Sequence, residues 1–350
     1  MIVTEMMLRS FIRESLLLEG PRDQGIFKAI FMAGCPGAGK GTVIEAIFGR
    51  STGTTHHGLR IVNPDQLYEY LLSAADMPLS APDLPKDDPS LSAYRSAAGK
   101  LQHRAGMKMT GGSKGVAPGH VGLDDTSYGY KPGKTSREPT QLETYIQGRK
   151  GLVIDGTARN YEKIEREKQI LEELGYDVMM VAVVTPEPVA QERNAKRAID
   201  PKKRSIYPGA VRGACNALNL NLGKEWERDP TQPDGLKRDS QGNFIVVQGA
   251  NRYRDLFGDN YIEIDNTKPE GQAVSTDDVS AIEGFISSPL SATARQWVSD
   301  VLSPVPSPVE EPEELTPDEA DQLSALVDKA VGDALDDEES GDTLGDEEYV

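Results

Sequence analysis

Apolar residues crowd into short runs, and the segments between those runs repeat at helical spacing. Residues 26–33 read as a buried strand, and 177–184 are too apolar to alternate, as a strand covered on both faces would be. Leu59-Arg60-Ile61-Val62, Gly151-Leu152-Val153-Ile154-Asp155 and Tyr261-Ile262-Glu263-Ile264-Asp265 read as further strands. Helices are expected after residue 40 to a stop at Gly49, and through Leu67, Tyr68, Leu71 and Leu72 with Asp65 as cap. Others are expected over 91–104, 141–149, 161–174 (stopped by Gly175), 186–198, 207–221 and 251–257. Phe244–Val247 is expected as a small strand or hairpin. Strands alternating with helices predict an α/β fold built on a doubly wound parallel sheet.

Three segments interrupt that rhythm. Residues 76–140 hold many Pro, Gly, Ser and Lys and read as an irregular insertion, with ten Lys and Arg against four acids over 95–150. Residues 1–24 place Leu8, Phe11, Ile12 and Leu16 near one face of an amphipathic helix. Residues 303–350 begin with a stiff Pro-rich linker and run into an acidic, partly disordered tail, with one helix expected from Thr316. The expected partition is therefore a leader (1–24), a nucleotide-type domain (25–268), a helical extension (269–302, Trp297 as its anchor) and the tail (303–350).

Charge changes the picture only at the end of the chain. Residues 305–350 carry 17 Asp and Glu against one Lys, so nearly all of the net −18 belongs to the tail. No apolar run approaches the length of a membrane span, and no secretory signal is visible. The two cysteines, Cys35 and Cys215, suggest no disulfide framework, and a cytoplasmic setting is the expectation. His56-His57 in a polar turn is read first as solvated and only second as a metal pair.

The candidate chemistry centres on Gly34-Cys35-Pro36-Gly37-Ala38-Gly39-Lys40-Gly41-Thr42, between the first strand and the first helix. A glycine-rich turn in that context lets successive backbone N–H groups close around phosphate oxygens. Lys40 would reach the outer phosphates and Thr42 would face Mg²⁺. The spelling, with Gly41 between Lys40 and Thr42, resembles the adenylate-kinase branch of P-loop kinases. Asp65 ends the second strand and is placed to take a proton from an attacking hydroxyl. Asp155 ends another strand, where it could hold Mg²⁺ through water. Arg193 and Arg197 lie four apart in a basic stretch, on one helix face, as a clamp for charge on a transferring phosphoryl group.

The run Asp155-Gly156-Thr157-Ala158-Arg159-Asn160-Tyr161, then Leu174-Gly175-Tyr176-Asp177-Val178, then Arg193 and Arg197, resembles the zeta-toxin family and its phage-borne relatives. The resemblance covers roughly residues 26–266 without the insertion. It implies a P-loop kinase that moves the γ-phosphate of ATP (GTP is the alternative), with Mg²⁺, to a hydroxyl of a nucleotide, nucleotide sugar or related small molecule. It carries the base onto Asp65 and substrate contacts onto Asp155, Thr157 and Arg159. The family usually shows Glu where Asp155 stands, and its loop usually ends Gly-Lys-Ser/Thr. Competing readings are a polynucleotide 5′-hydroxyl kinase and a packaged P-loop ATPase. Leu17-Leu18-Glu19-Gly20 resembles the end of a phage capsid-targeting leader, so a capsid or other protein partner is expected through the leader or the acidic tail. No membrane partner is expected, and nucleic acid is not favoured.

Overall fold

The structure is a computed structural model that describes residues 25–49, 52–81, 87–123, 137–200, 203–267 and 274–302. The leader and its Leu17–Gly20 site, the Pro-rich linker and the acidic tail lie outside the described residues.

Period-two packing explains the sheet. Strand β1 (Lys28–Ala33) sends Ala29, Phe31 and Ala33 into one apolar core and Ile30 and Met32 into a second on the opposite face. Strand β4 (Asp177–Val184) splits likewise, with Val178, Met180, Ala182 and Val184 on one side and Met179, Val181 and Val183 on the other. A strand buried on both faces needs helices on both faces, which is the expected doubly wound architecture. With β2 (Arg60–Val62), β3 (Leu152–Gly156) and β7 (Tyr261–Asp265) the sheet has five parallel strands in the order β2-β3-β1-β4-β7. All carboxyl ends therefore gather along one edge, where ligands of open α/β sheets bind.

One core is covered by α1 (Lys40–Phe48), α6 (Glu187–Ala198), the first half of α7 (Pro208–Leu222) and α9 (Thr276–Ser287). The other is covered by α4 (Gln141–Gln147), α5 (Tyr161–Glu173), the end of α7, α8 (Arg252–Phe257) and α10 (Ala292–Leu302). Trp297 anchors α10 as expected, its ring edge-on to Phe27 at 5.4 Å. Lys28 is fully buried, an expensive position for an ammonium, and is held by Asp177 and Ser288 at 2.6 Å each. The hairpin appears as β5 (Lys224–Trp226) paired antiparallel to β6 (Val246–Gln248). No helix among the described residues is long and apolar enough to cross a membrane.

Three expectations change. The cap of α2 (Pro64–Ala74) is Asn63, not Asp65. Pro64 suits the first helical position, so the capping side chain must stand one residue earlier. Cys35 and Cys215 form a disulfide, with Cα atoms 4.9 Å apart across 180 residues of sequence. Their spacing gave no hint of it, because only the packing of α7 over the glycine-rich turn brings them together. Within the insertion, the helix expected over 91–104 is longer, α3 (Pro89–Thr110), opened by an Asp88 cap and packed on α2 through Tyr68, Leu72, Ala98 and Ala105. The polar loop from Gly111 to Ala117 follows it, stitched to α5 by Lys163 and to α4 by Glu143.

Candidate active site

Beyond Ala33 the chain turns sharply before α1 starts. Gly37 and Gly39 have φ of +85° and +87°, in the left-handed region that a β-carbon strains. Space excludes one as well: it would come within 2.3 Å of the Ala190 carbonyl oxygen at Gly37 and 2.2 Å of Asn266 Nδ2 at Gly39. Helix α1 has neither a side-chain cap nor an acid in its first turn. Its leading N–H groups thus point at the sheet edge with the positive helix end behind them, a seat for an anion.

Three side chains converge on the carbonyl oxygen of Ala38. Asn266 Nδ2 donates to it at 2.6 Å, Thr185 Oγ1 at 3.3 Å and Arg193 Nη1 at 3.4 Å. These come from the ends of β7 and β4 and from α6, so the β4–β7 side of the carboxyl edge fixes the loop. Lys40 Nζ donates to the Gly34 carbonyl at 2.7 Å and stands 3.9 Å from Asp155 Oδ1.

Asp155 registers opposite Met32 on β1, which sets it beside the loop. Its side chain is only 10% exposed, and its Oδ1 has no hydrogen-bond partner. Burial pushes its carboxyl up to about 6; Lys40 opposes the rise and Asp65 adds to it. Asn63 ties the two acids together: its Nδ2 donates to Asp155 Oδ2 at 2.8 Å and its Oδ1 accepts the Asp65 N–H at 2.8 Å. The Asp65 carboxylate itself is half-exposed and pairs with Arg204 Nη2 at 2.7 Å. Arg204 is nearly buried, lies 5.0 Å over the Tyr68 ring and reaches Glu69 at 3.5 Å. Burial raises the Glu69 carboxyl, with Arg204 opposing.

Two cavities flank this centre. A large one of about 1230 Å³ has Gly37, Gly39 and Thr42 on one side and Arg193, Arg197 and Arg204 on another. Arg238 and Phe244, from the connection between β5 and β6, also line it, with the guanidinium 4.3 Å from the ring centre. A smaller cavity of about 290 Å³ is lined by Asp155, Thr157 and Arg159, by Pro64, and by Gly112 and Ser113 of the insertion. Ala158 has φ of +47°, an uncommon conformation outside glycine, and its carbonyl accepts a hydrogen bond from the Tyr253 hydroxyl. That kink lets both Thr157 and Arg159 line the cavity.

The expected residues thus sort into two groups. Gly37, Gly39, Thr42, Arg193 and Arg197 share the large cavity, while Asp155, Thr157 and Arg159 share the small one. Lys40 links them through Asp155. Gly34, Pro36, Ala38 and Gly41 complete the turn and the first helical positions. Thr42 and Asp155, both expected at a metal, line different cavities, and Asp65 is turned to Arg204. Sequence reasoning missed Asn63, Asn266 and Arg204. Asn63 and Asn266 each follow a strand end, the only signal either had; Arg204 stood in the basic stretch but outside its helical spacing.

A family model described as an AAA domain matches residues 30–217. No curated protein matches the chain. Among solved structures, the chain is similar to one from the PezAT chromosomal toxin–antitoxin system of Streptococcus pneumoniae. Identity there is 12% over 86% of this chain and 98% of that one, with a TM-score of 0.29. It is also similar to the AvrRxo1-ORF1:-ORF2 complex with ATP, at 12% identity over 84% of this chain and 90% of that one, TM-score 0.31.

Proposed function

The chain belongs to the AAA domain family, and from that premise we propose that this P-loop domain is an ATP-dependent phosphotransferase acting on a small hydroxyl-bearing acceptor. The acceptor class is a nucleotide, a nucleotide sugar or a related small molecule. The observation that carries the reading is the presence of two cavities, one lined by the glycine-rich turn and arginines and suited to polyphosphate, the other lined by Asp155, whose Oδ1 stands 3.9 Å from Lys40 Nζ, and suited to a second molecule. An ATPase needs only the first.

In this reading the triphosphate lies on the N–H groups of Gly37–Thr42. Lys40 exchanges its bond to Gly34 for an outer phosphate oxygen. Arg193 and Arg197 face the transferring group and offset its negative charge. The acceptor occupies the small cavity between Thr157 and Arg159. Its hydroxyl oxygen bonds to the γ-phosphorus as the bond to the β-phosphate oxygen breaks, ADP departs, and the hydroxyl proton passes to Asp65. Asp65 follows Pro64, which lines that cavity, and exchanges Arg204 for the acceptor. The orphaned Oδ1 of Asp155 is a hard oxygen donor that fits Mg²⁺, whereas the Thr42 hydroxyl lines the large cavity. Mg²⁺ so held would neutralise charge on the phosphate oxygens.

A small, loop-covered acceptor site favours a small molecule over a polynucleotide end. Incubation with γ-labelled ATP, Mg²⁺ and panels of nucleotide sugars, nucleosides and 5′-hydroxyl oligonucleotides tests the reading. Label should move to a member of the first two panels and not to the oligonucleotides, and Asp65→Asn should stop transfer while ATP is still bound. ATP loss with no labelled acceptor would make the protein an ATPase instead.

A further inference from the structure

The turn between α1 and β2 carries two histidines that the nucleotide chemistry does not use. It is a rigid turn. The buried Thr55 donates its N–H to the Leu59 carbonyl at 2.9 Å, and its hydroxyl accepts the Leu59 N–H at 3.0 Å. His56 and His57 are thereby held with ring centres 3.9 Å apart. Glu283, on α9, faces them from a separate element, its Oε1 3.9 Å from His57 Nε2.

Three features single the cluster out from a solvated histidine pair. One nitrogen of each imidazole and one oxygen of Glu283 all lie within 4.8 Å of one another. His57 Nε2 is buried and has no hydrogen-bond partner, although an acceptor stands just out of range. His56 Nδ1 lies 2.8 Å from the Phe48 carbonyl, so it carries the proton and donates, leaving the Nε2 lone pair free. Metal-bound histidines are characteristically fixed in that way by a backbone carbonyl on the other nitrogen.

We propose that His56, His57 and Glu283 form a binding site for a borderline divalent transition ion of the Zn²⁺ class, separate from the nucleotide site. Donors at metal distances of about 2.0–2.2 Å in a tetrahedral site stand roughly 3.3–3.5 Å apart. The His57–Glu283 separation of 3.9 Å therefore needs a shift of about half an ångström, and a pair at the 4.8 Å limit of the cluster about 1.5 Å, within the reach of side-chain rotation. Two imidazoles and one carboxylate leave one coordination position to water. Mg²⁺ is selected against, because it prefers an all-oxygen shell. The ion would clip α9 to the turn after α1, and through the Phe48 carbonyl to the far end of the helix that begins at the P-loop.

The test uses the full chain without an affinity tag, stripped with a chelator and titrated with Zn²⁺ alone in Mg²⁺-containing buffer. One Zn²⁺ per chain is expected, together with a higher unfolding temperature. His57→Ala and Glu283→Gln should each weaken binding at least ten-fold and abolish the thermal shift. Neither residue lines the nucleotide cavity, so unchanged ATP binding in both variants reports that they fold. Co²⁺ in place of Zn²⁺ should give the visible absorption of a four-coordinate nitrogen–oxygen site, lost in both variants. Failure of the wild type to bind Zn²⁺ at micromolar concentration overturns the proposal. So does equal binding by the double variant, which would place the ion elsewhere, as on the acidic tail.

Discussion

Asp155 is where stability and chemistry pull apart. Its carboxyl titrates at about 6 in the fold against 3.8 for an ordinary side chain, with burial as the main cause. The folded state therefore holds the proton more tightly than the unfolded state, so stability falls as pH rises from about 4 to about 6 and stays lower above that. Asp155→Asn removes the buried charge and keeps an oxygen for Asn63 to bond. At pH 7.5 the variant should be more stable than wild type by at most about 2–3 kcal/mol and unfold at a higher temperature, and most of that difference should be gone at pH 4. Scanning calorimetry at the two pH values decides it; a variant less stable than wild type at pH 7.5 would show that Lys40 already compensates the charge. The same variant should lose phosphoryl transfer. Asn63 permits a finer separation, because one oxygen caps α2 and one nitrogen serves Asp155. Asn63→Ala should cost about 1 kcal/mol in denaturant unfolding through the lost cap. Asn63→Asp keeps the cap but sets a carboxylate against Asp155, so transfer should fall at least ten-fold with most of the cap energy retained. Equal transfer in Asn63→Asp and wild type would remove Asn63 from the site.

Elements show why part of the molecule was legible in its sequence and part was not. Strands β1 and β4, the glycine-rich turn and helix α1 are specified by residues next to one another, so periodicity and the Gly34–Thr42 spacing suffice to place them. The grouping of Asp155, Thr157 and Arg159 is local in the same way, since one kink at Ala158 follows one strand end. What spacing cannot carry is contact across layers: Asn266 against Ala38, Arg204 against Asp65, and Cys35 against Cys215 lie 228, 139 and 180 positions apart. The length of α3 was hidden because its Gly and Ser content lowers helical propensity, while packing on α2 overrides it. The Cys35–Cys215 link joins the glycine-rich turn to α7, and a bridge over so long a loop restricts the unfolded chain strongly. Cys215→Ala should lower stability by about 2–4 kcal/mol, and wild type in strong reductant should converge on the same unfolding curve. If reductant leaves the wild-type curve in place and Cys215→Ala matches it, the bridge contributes nothing to the fold.

At the scale of the molecule, net charge and ligand preference have opposite signs. The chain carries −18, which would repel a nucleoside triphosphate, yet nearly all of that charge lies in residues 305–350. The large cavity is lined by Arg193, Lys196, Arg197, Lys203, Arg204 and Arg238 against Glu69, Glu192 and Asp200. A concave cationic surface focuses its field on an entering anion, and the range of that field is set by the ionic atmosphere. The Debye length is about 10 Å at 0.1 M salt and about 3 Å at 1 M, so long-range help from the cavity rim should vanish across that range. Raising NaCl from 0.05 to 0.5 M should therefore weaken ATP binding on the order of ten-fold. Binding of uncharged adenosine should hardly move. Calorimetric titration of both ligands at both salt concentrations reads the difference directly. An ATP affinity indifferent to salt would mean that the N–H groups of the loop and Lys40 hold the triphosphate without the arginine-rich wall, and the clamp role of Arg193 and Arg197 would fall with it.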